Sequence, residues 1–134
     1  MFKKILVPMD LSDRSKKALN AARKLAIANG AKVTLLHVIE PIPHTDAREL
    51  ADFYATLEAK ATRWMHRLTT LTAGPRVSAK IVYGKRARTI AEFAHKQRSD
   101  LIILSSHRVK PGSGFPSISY EVAVLASCPV LLIK

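Results

Sequence analysis

Polar side chains follow two separate apolar runs of the chain, one near its beginning and one in its second half. Asp10 comes directly after the first run, and Ser105, Ser106 and His107 follow the run at residues 101–104. In an α/β protein, ligands bind outside the carboxyl ends of parallel strands, at the point where the strand order reverses. We therefore expect a small-molecule site here, with a carboxylate and hydroxyl groups as its polar members.

Each of these residues also has a structural interpretation that the sequence leaves open. Asp10 could bond the amides at the start of a first helix, which is a common role for Asp. Ser105 and Ser106 lack the G-x-S-x-G surroundings of a hydrolase nucleophile. His107 has no carboxylate or second histidine beside it, and His37 is interpreted as a structural hydrogen-bonding residue. We predict no catalytic residue and no metal site, so the protein is expected to bind a ligand rather than to catalyse a reaction.

Length and composition predict one soluble domain over residues 1–134. Apolar residues make up 48% of the chain, but no apolar run approaches the roughly 20 residues needed to cross a bilayer. The first strand begins almost at the N-terminus and leaves no room for a signal peptide, so a cytoplasmic protein is expected. The single cysteine, Cys128, cannot form an internal disulfide and is predicted to be a small buried side chain.

Continuous apolar runs alternate with segments of 3.6-residue periodicity, which predicts five strands, four helices and a doubly wound parallel sheet. The strands are expected at residues 3–9, 31–38, 77–83, 101–105 and 130–133. The helices are expected from a cap at Ser12 to Asn29-Gly30, at residues 50–71, around residues 87–94, and at residues 118–126.

Two strands are expected at the margins of this sheet. Polar and apolar residues alternate in the third strand, which indicates one partly wet face. The last strand is apolar throughout, and at an edge its unpaired backbone would recruit another strand, most simply from a second copy in a homodimer.

Short motifs along essentially the whole chain resemble the universal stress protein family. No motif is specific alone, but their order would rarely arise by chance. They are Ile5-Leu6-Val7-Pro8-Met9-Asp10 with Ser12 and Ser15, Leu36-His37-Val38, Gly84 with Ala87 and Ile90, Ser99-Asp100-Leu101-Ile102, and Cys128-Pro129-Val130-Leu131-Leu132. The resemblance implies an adenine-nucleotide-binding α/β fold with strand order 3-2-1-4-5, a dimer joined through the fifth strand, and a stress-linked binding or signalling role.

Carried over position by position, the resemblance implies a ligand crevice between strands 1 and 4. The base would contact the backbone around Pro8, Met9 and Val38, and Asp10 would contact the ribose or a metal such as magnesium. The phosphates would contact two segments, one formed by Ser105, Ser106, His107 and Arg108 and the other by Ser117, Ile118 and Ser119.

The expected phosphate loop departs from the glycine pattern of the nucleotide-binding branch of this family. That pattern is GxxG, nine residues, then Gly with Ser or Thr, because backbone amides approach phosphate most closely where side chains are absent. Here Ser105, Arg108 and Pro116 occupy the three glycine positions, and Ser117 keeps the hydroxyl position. The spacing from Ser105 to Ser117 is also two residues shorter than the pattern requires.

Other features of the loop favour anion binding, so ATP binding stays an open alternative. The segment 112–114, Gly-Ser-Gly, could form a backbone nest, and Arg108, Lys110, Ser117 and Ser119 could donate hydrogen bonds near a helix N-terminus. The favoured interpretation is a sensing or signalling module that is non-enzymatic or at most a weak nucleotidase. The alternative is a dimer that binds no nucleotide and acts through protein partners or polyanions.

The chain carries a formal net charge of +12. Ten Lys or Arg residues lie between Lys60 and Arg98, against the single acid Glu92. They match no nucleic-acid-binding motif, so we interpret them mainly as a solvated basic surface, with salt-sensitive binding of RNA or DNA as the minority hypothesis.

Overall fold

A computed structural model describes residues 1–43, 46, 48–70, 74–105 and 117–134. Five strands alternate with four helices in these residues, as the hydrophobic pattern predicts. In chain order they are β1 (Lys4–Pro8), α1 (Ser15–Asn29), β2 (Lys32–Ile39), α2 (Ala51–Thr69), β3 (Val77–Tyr83), α3 (Arg86–Lys96), β4 (Leu101–Ser105), α4 (Ile118–Leu125) and β5 (Val130–Ile133).

The strands of the described residues form one parallel sheet with the order β3-β2-β1-β4-β5. This confirms the expected strand order. Ile5 of β1 lies between Val33 of β2 and Leu101 of β4. The chain moves outward in one direction from β1 to β3 and then crosses back to β4, so the order reverses between β1 and β4. A crevice at this switch point opens beyond the carboxyl ends of the strands.

Helices cover both faces of the sheet, which confirms the doubly wound architecture. On one face, side chains such as Val7 and Ile103 pack with Leu19 of α1 and Met65 of α2. On the other face, Leu6 and Ile102 pack with residues of α3 and α4 that include Ile90 and Val122. Because β1 and β4 are buried from both sides, their sequences are continuously apolar rather than alternating.

The side chain of Asp100 joins the beginning of β1 to the beginning of β4. Its two carboxylate oxygens accept hydrogen bonds from the backbone amides of Lys3, at 2.8 Å, and Lys4, at 3.1 Å. The amide of Asp100 donates in return to the carbonyl of Lys4, at 2.9 Å. These bonds help to fix the register between two strands that lie far apart in the sequence.

The predicted end of α1 is confirmed and its predicted start is wrong. Gly30 has a φ of 64°, and its amide donates to the carbonyl of Ala26, as expected for a glycine that ends a helix. Ser12 does not cap the helix, because Arg14 is the residue before its first turn. The Ser12 side chain instead donates to Asp10, and a tight turn separates it from the helix.

The apolar stripe predicted for α2 is core only in its C-terminal half. Ala61, Met65 and Leu68 are buried, whereas Phe53 is 46% exposed. Leu71, the last predicted member, lies outside the described residues.

Both predicted edge strands lie at the sheet margins. Burial alternates along β3, with Ser78 and Lys80 exposed. None of the helices in the described part of the chain combines the length and apolar character that crossing a bilayer requires.

Candidate functional site

A crevice with a volume of about 170 Å³ lies at the switch point of the sheet. It is bounded by the carboxyl ends of β1, β2 and β4 and by the first turns of α1, α3 and α4. Eight of the predicted site residues line it, namely Pro8, Met9, Asp10, Val38, Ser105, Ser117, Ile118 and Ser119. The other three, Ser106, His107 and Arg108, lie outside the described residues, as do Lys110, Pro116 and the segment 112–114.

Asp10 is held by the turn that leads from β1 to α1. Its Oδ1 atom accepts hydrogen bonds from the Ser12 amide at 3.0 Å, from the Ser12 hydroxyl at 2.5 Å and from the Ser15 hydroxyl at 2.5 Å. The Asp10 amide donates to Ser15 Oγ at 3.1 Å. Within the described residues Oδ2 accepts no hydrogen bond, so one carboxylate oxygen remains available at the crevice. The structural and the ligand-binding interpretations of Asp10 are therefore compatible.

These contacts keep Asp10 ionised well below neutral pH. Partial burial raises the pKa of this carboxyl, but the hydrogen bonds from Ser12 and Ser15 outweigh it, and the charge of Arg14 acts in the same direction. The pKa is consequently lowered from 3.8 to about 2. The crevice therefore carries the negative charge of Asp10 at neutral pH.

Leu11, between Asp10 and Ser12, has the left-handed backbone conformation, with a φ of 64°. This conformation costs a residue with a Cβ atom roughly 1–2 kcal/mol. The same conformation lets both serines reach Asp10, so a local cost in backbone energy accompanies the organisation of the carboxylate.

His37 fixes the backbone at the end of β1. Its Nδ1 atom lies 2.7 Å from the Met9 carbonyl oxygen, which can only accept, so Nδ1 carries the hydrogen. The Met9 amide donates to the Leu36 carbonyl at 2.8 Å. His37 is thus a structural hydrogen-bonding residue, as the sequence indicates, and it sets the position of a backbone segment that lines the crevice.

Ser105 connects the end of β4 to the start of α1. Its hydroxyl donates to the carbonyl oxygen of Arg14 at 2.6 Å. Because the hydroxyl hydrogen is directed to that carbonyl, the Ser105 oxygen can only accept a hydrogen bond from another group. The hydroxyl is not paired with a base that would activate it as a nucleophile.

Hydroxyl groups also stand at the first turn of α4. Ser117 is its N-cap, and its Oγ accepts from the Tyr120 amide at 3.2 Å, which leaves the hydroxyl hydrogen free to be donated elsewhere. Ser119 is 6% exposed and lines the same crevice. A helix N-terminus carries partial positive charge, so this end of the crevice favours an anionic group.

The sequence analysis missed two arginines that line the crevice, Arg14 at the start of α1 and Arg86 at the start of α3. Basic residues at helix starts resemble ordinary surface charge, and the predicted start of α1 at Ser12 placed Arg14 inside a helix. Their place in the sequence could have identified them, because each lies at the start of a helix that follows a strand of the sheet, and ligands bind beyond the carboxyl ends of such strands. Ser15, Leu36, Ile90 and Leu104 complete the described lining.

The described lining therefore combines apolar side chains with polar and charged ones. It includes residues at the ends of β1 and β2, an ionised carboxylate, four serine hydroxyls and two arginines. Among the described residues, no three His, Cys, Asp or Glu side chains come together to hold a metal. Such an arrangement suits a ligand with a flat apolar part and an anionic part.

Fold and crevice together define a doubly wound α/β domain with an open site at its switch point. The chain belongs to the universal stress protein family, whose model matches residues 1–134. A Thermus aquaticus protein named universal stress protein in QAH/OAS sulfhydrylase 3'region is 34% identical to it over 139 residues, and the match covers all of both chains.

Solved structures of this family have the same fold. The universal stress protein UspA from Lactobacillus plantarum superposes with a TM-score of 0.79 at 29% identity, over 99% of this chain and 98% of that one. The universal stress protein from Archaeoglobus fulgidus in complex with dAMP superposes with a TM-score of 0.67 at 21% identity, over 99% of this chain and 98% of that one.

Proposed function

We propose that the crevice at the β1–β4 switch point binds an adenine nucleotide, and that residues 1–134 act as one sensing or signalling domain in the stress response. The observation that carries the proposal is that apolar side chains, the carboxyl ends of β1 and β2 and the ionised Asp10 line one crevice. The dAMP bound in the Archaeoglobus fulgidus relative supports an adenine nucleotide as the ligand class.

The proposed contacts follow the character of each wall. The base would lie against the backbone of Pro8, Met9 and Val38, where His37 holds the Met9 carbonyl in place. Asp10 would contact the ribose, or a magnesium ion that accompanies ATP. The phosphates would lie toward the end of β4 and the start of α4, at Ser105, Ser106, His107 and Arg108 and at Ser117, Ile118 and Ser119.

The described chemistry supports binding rather than turnover. Ser105 donates its proton to a backbone carbonyl, and His37 is engaged with another. Neither is placed as a nucleophile with an adjoining base. Ligand occupancy would then act by changing what the protein contacts, not by consuming the nucleotide.

Calorimetry on ligand-stripped protein tests the site. ATP and AMP, with and without magnesium and at two salt concentrations, should bind saturably, and pyrophosphate should not reproduce this binding. Asp10→Ala and Arg108→Ala should each weaken ATP binding, by roughly 10-fold or more for the loss of a charge-assisted contact. Asp13→Ala is the matched control, because Asp13 is exposed and nearby but does not line the crevice.

Unchanged ATP affinity in both Asp10→Ala and Arg108→Ala would refute the site assignment. Circular dichroism and thermal unfolding of Asp10→Ala distinguish a lost contact from a lost fold. Heat that appears only through salt-sensitive attraction of phosphate, without dependence on adenine, would instead favour the alternative in which the +12 chain binds polyanions.

We also propose that the protein is a cytoplasmic homodimer joined through β5. Leu131 and Leu132 on this edge strand are 39% and 40% exposed, and Val124 and Leu125 of the adjoining α4 are 65% and 52% exposed. Backbone pairing with a second copy would satisfy the open edge and cover these side chains.

A further inference from the structure

Two arginines stand at opposite sides of the crevice. Arg14 lies on the β4 side, because the Ser105 hydroxyl donates to the Arg14 carbonyl at 2.6 Å. Arg86 lies on the β2 side, because its amide donates to Oε1 of Glu40, just beyond the end of β2, at 2.9 Å. Both residues line the crevice and both are exposed.

The surroundings of the two arginines differ. On the β2 side the crevice lining is apolar, with Leu36 and Val38 of β2 and Ile90 of α3, and the Glu40 carboxylate contacts the Arg86 amide without being part of that described lining. Around Arg14 it includes the carboxylate of Asp10 and the hydroxyl of Ser105. A ligand with an apolar ring and an anionic group would place its ring on the Arg86 side and its charge on the Arg14 side.

A phosphate in this crevice would meet the negative charge of Asp10 without the three glycines that the family pattern places in its phosphate loop. Asp10 is ionised and would by itself repel a phosphate. Arg14 is close enough to Asp10 to stabilise the carboxylate through its charge, so it also offsets that repulsion. A guanidinium contacts phosphate through parallel N–H donors, as a pair of backbone amides would in a glycine loop.

On these grounds, and resting on the proposed nucleotide function, we propose that Arg14 contacts the phosphate next to the ribose and gives the crevice its preference for nucleotides over nucleosides. Arg86 in this arrangement packs its guanidinium plane against the base, since a planar cation over an aromatic ring is attracted to it. The two arginines thus divide recognition between the two ends of one ligand.

Binding of AMP and adenosine, compared by calorimetry, tests this division of roles. The wild-type protein should bind AMP more tightly than adenosine. Arg14→Ala should weaken AMP binding roughly 10- to 100-fold, the loss of a charged hydrogen-bond partner, while adenosine binding changes little. Arg14→Lys should restore part of the AMP affinity, and Arg86→Ala should weaken both ligands by a similar factor.

Arg63→Ala is the control for long-range electrostatics, since Arg63 is exposed on α2 and does not line the crevice. An equal loss of AMP affinity in Arg63→Ala and Arg14→Ala would show a general effect of charge and overturn the contact. An unchanged ratio of AMP to adenosine affinity in Arg14→Ala would overturn it too and leave the proposed function intact. Failure of the wild-type protein to bind any adenine compound would overturn both.

Discussion

Asp10 shows how one residue serves both the local fold and the candidate site. Oδ1 accepts hydrogen bonds from Ser12 and Ser15 in the turn that leads to α1, and the same residue lines the crevice. The turn lowers the pKa of the carboxyl and thereby supplies the charge that a ribose or metal would meet. Stabilisation of the turn and readiness to bind therefore have the same physical origin.

This coupling predicts an acid-sensitive contribution to stability. The pKa of Asp10 falls from 3.8 to about 2 on folding, so its contribution is complete above about pH 4 and is lost as the pH falls through 2. Because Asp10 is exposed and screened by solvent, we expect about 1 kcal/mol. Urea unfolding of the wild type and Asp10→Asn should show this difference at pH 6 and a smaller one at pH 2.

Ser12→Ala tests whether the hydrogen bonds from Ser12 cause the lowered pKa of Asp10. It removes the hydroxyl that donates to Asp10 and leaves the backbone amide in place, so it should shrink, but not abolish, the difference between wild type and Asp10→Asn. A difference that keeps its size from pH 6 to pH 2 would contradict the assignment of the shift to these hydrogen bonds.

At the scale of elements, the turn after β3 depends on a glycine. Gly84 has a φ of 152°, and its amide donates to the Ile39 carbonyl at 3.1 Å. A Cβ atom built at this position would lie 2.2 Å from Oγ1 of Thr89 in α3. This close approach lets the chain reverse at the end of β3 and begin α3 beside the crevice.

Gly84→Ala should therefore destabilise the fold by about 1–3 kcal/mol, because it combines an unfavourable φ with a steric clash. Thermal or urea unfolding measures this loss. The double variant Gly84→Ala/Thr89→Ala removes the Oγ1 atom and should recover part of the stability but not the part due to φ. If the single variant were as stable as the wild type, the close approach would not be a constraint on this turn.

The sequence predicts the strands and helices well because their signals are local. Unbroken apolar runs identify β1 and β4, and Gly30 identifies the end of α1. The start of α1 could not be predicted, because the competing hydrogen bond from Ser12 to Asp10 exists only once the chain has turned at Leu11. The strand order and the roles of the crevice residues came from family resemblance, since a hydrophobic pattern does not state which strands are neighbours.

The candidate site was predictable in part for the same reason. Pro8, Met9, Asp10 and Val38 follow or end apolar runs and were identified by that position. Arg14 and Arg86 reach the crevice only through the placement of α1 and α3 around the sheet. Their importance depends on tertiary structure, and no local pattern indicates it.

At the scale of the whole molecule, the two sheet edges differ in character. β3 exposes Lys80, and a charged residue on an edge strand discourages pairing with other chains. β5 carries no charged side chain from Val130 to Ile133. The contrast favours β5 as the edge that meets a second copy.

Leu132→Lys should thus shift the protein from dimer to monomer, measured by sedimentation equilibrium. Ile27→Lys is the control, because Ile27 is a 69% exposed apolar residue that belongs to α1 and not to the edge strand. The monomer should keep its nucleotide affinity, since the described lining of the crevice includes no residue of β5. A wild-type protein that sediments as a monomer, or equal effects of both variants, would argue against pairing through β5.

The bond between Asp100 and the start of β1 has a consequence for synthesis. β1 is synthesised before β4, which becomes one of its two neighbours, and the carboxylate that receives the amides of Lys3 and Lys4 is made about a hundred residues later. Until then one side of the buried strand β1 has no native partner. A nascent or truncated chain that stops before residue 100 should consequently depend on chaperones or aggregate, because β4 and β5 are still missing from the sheet.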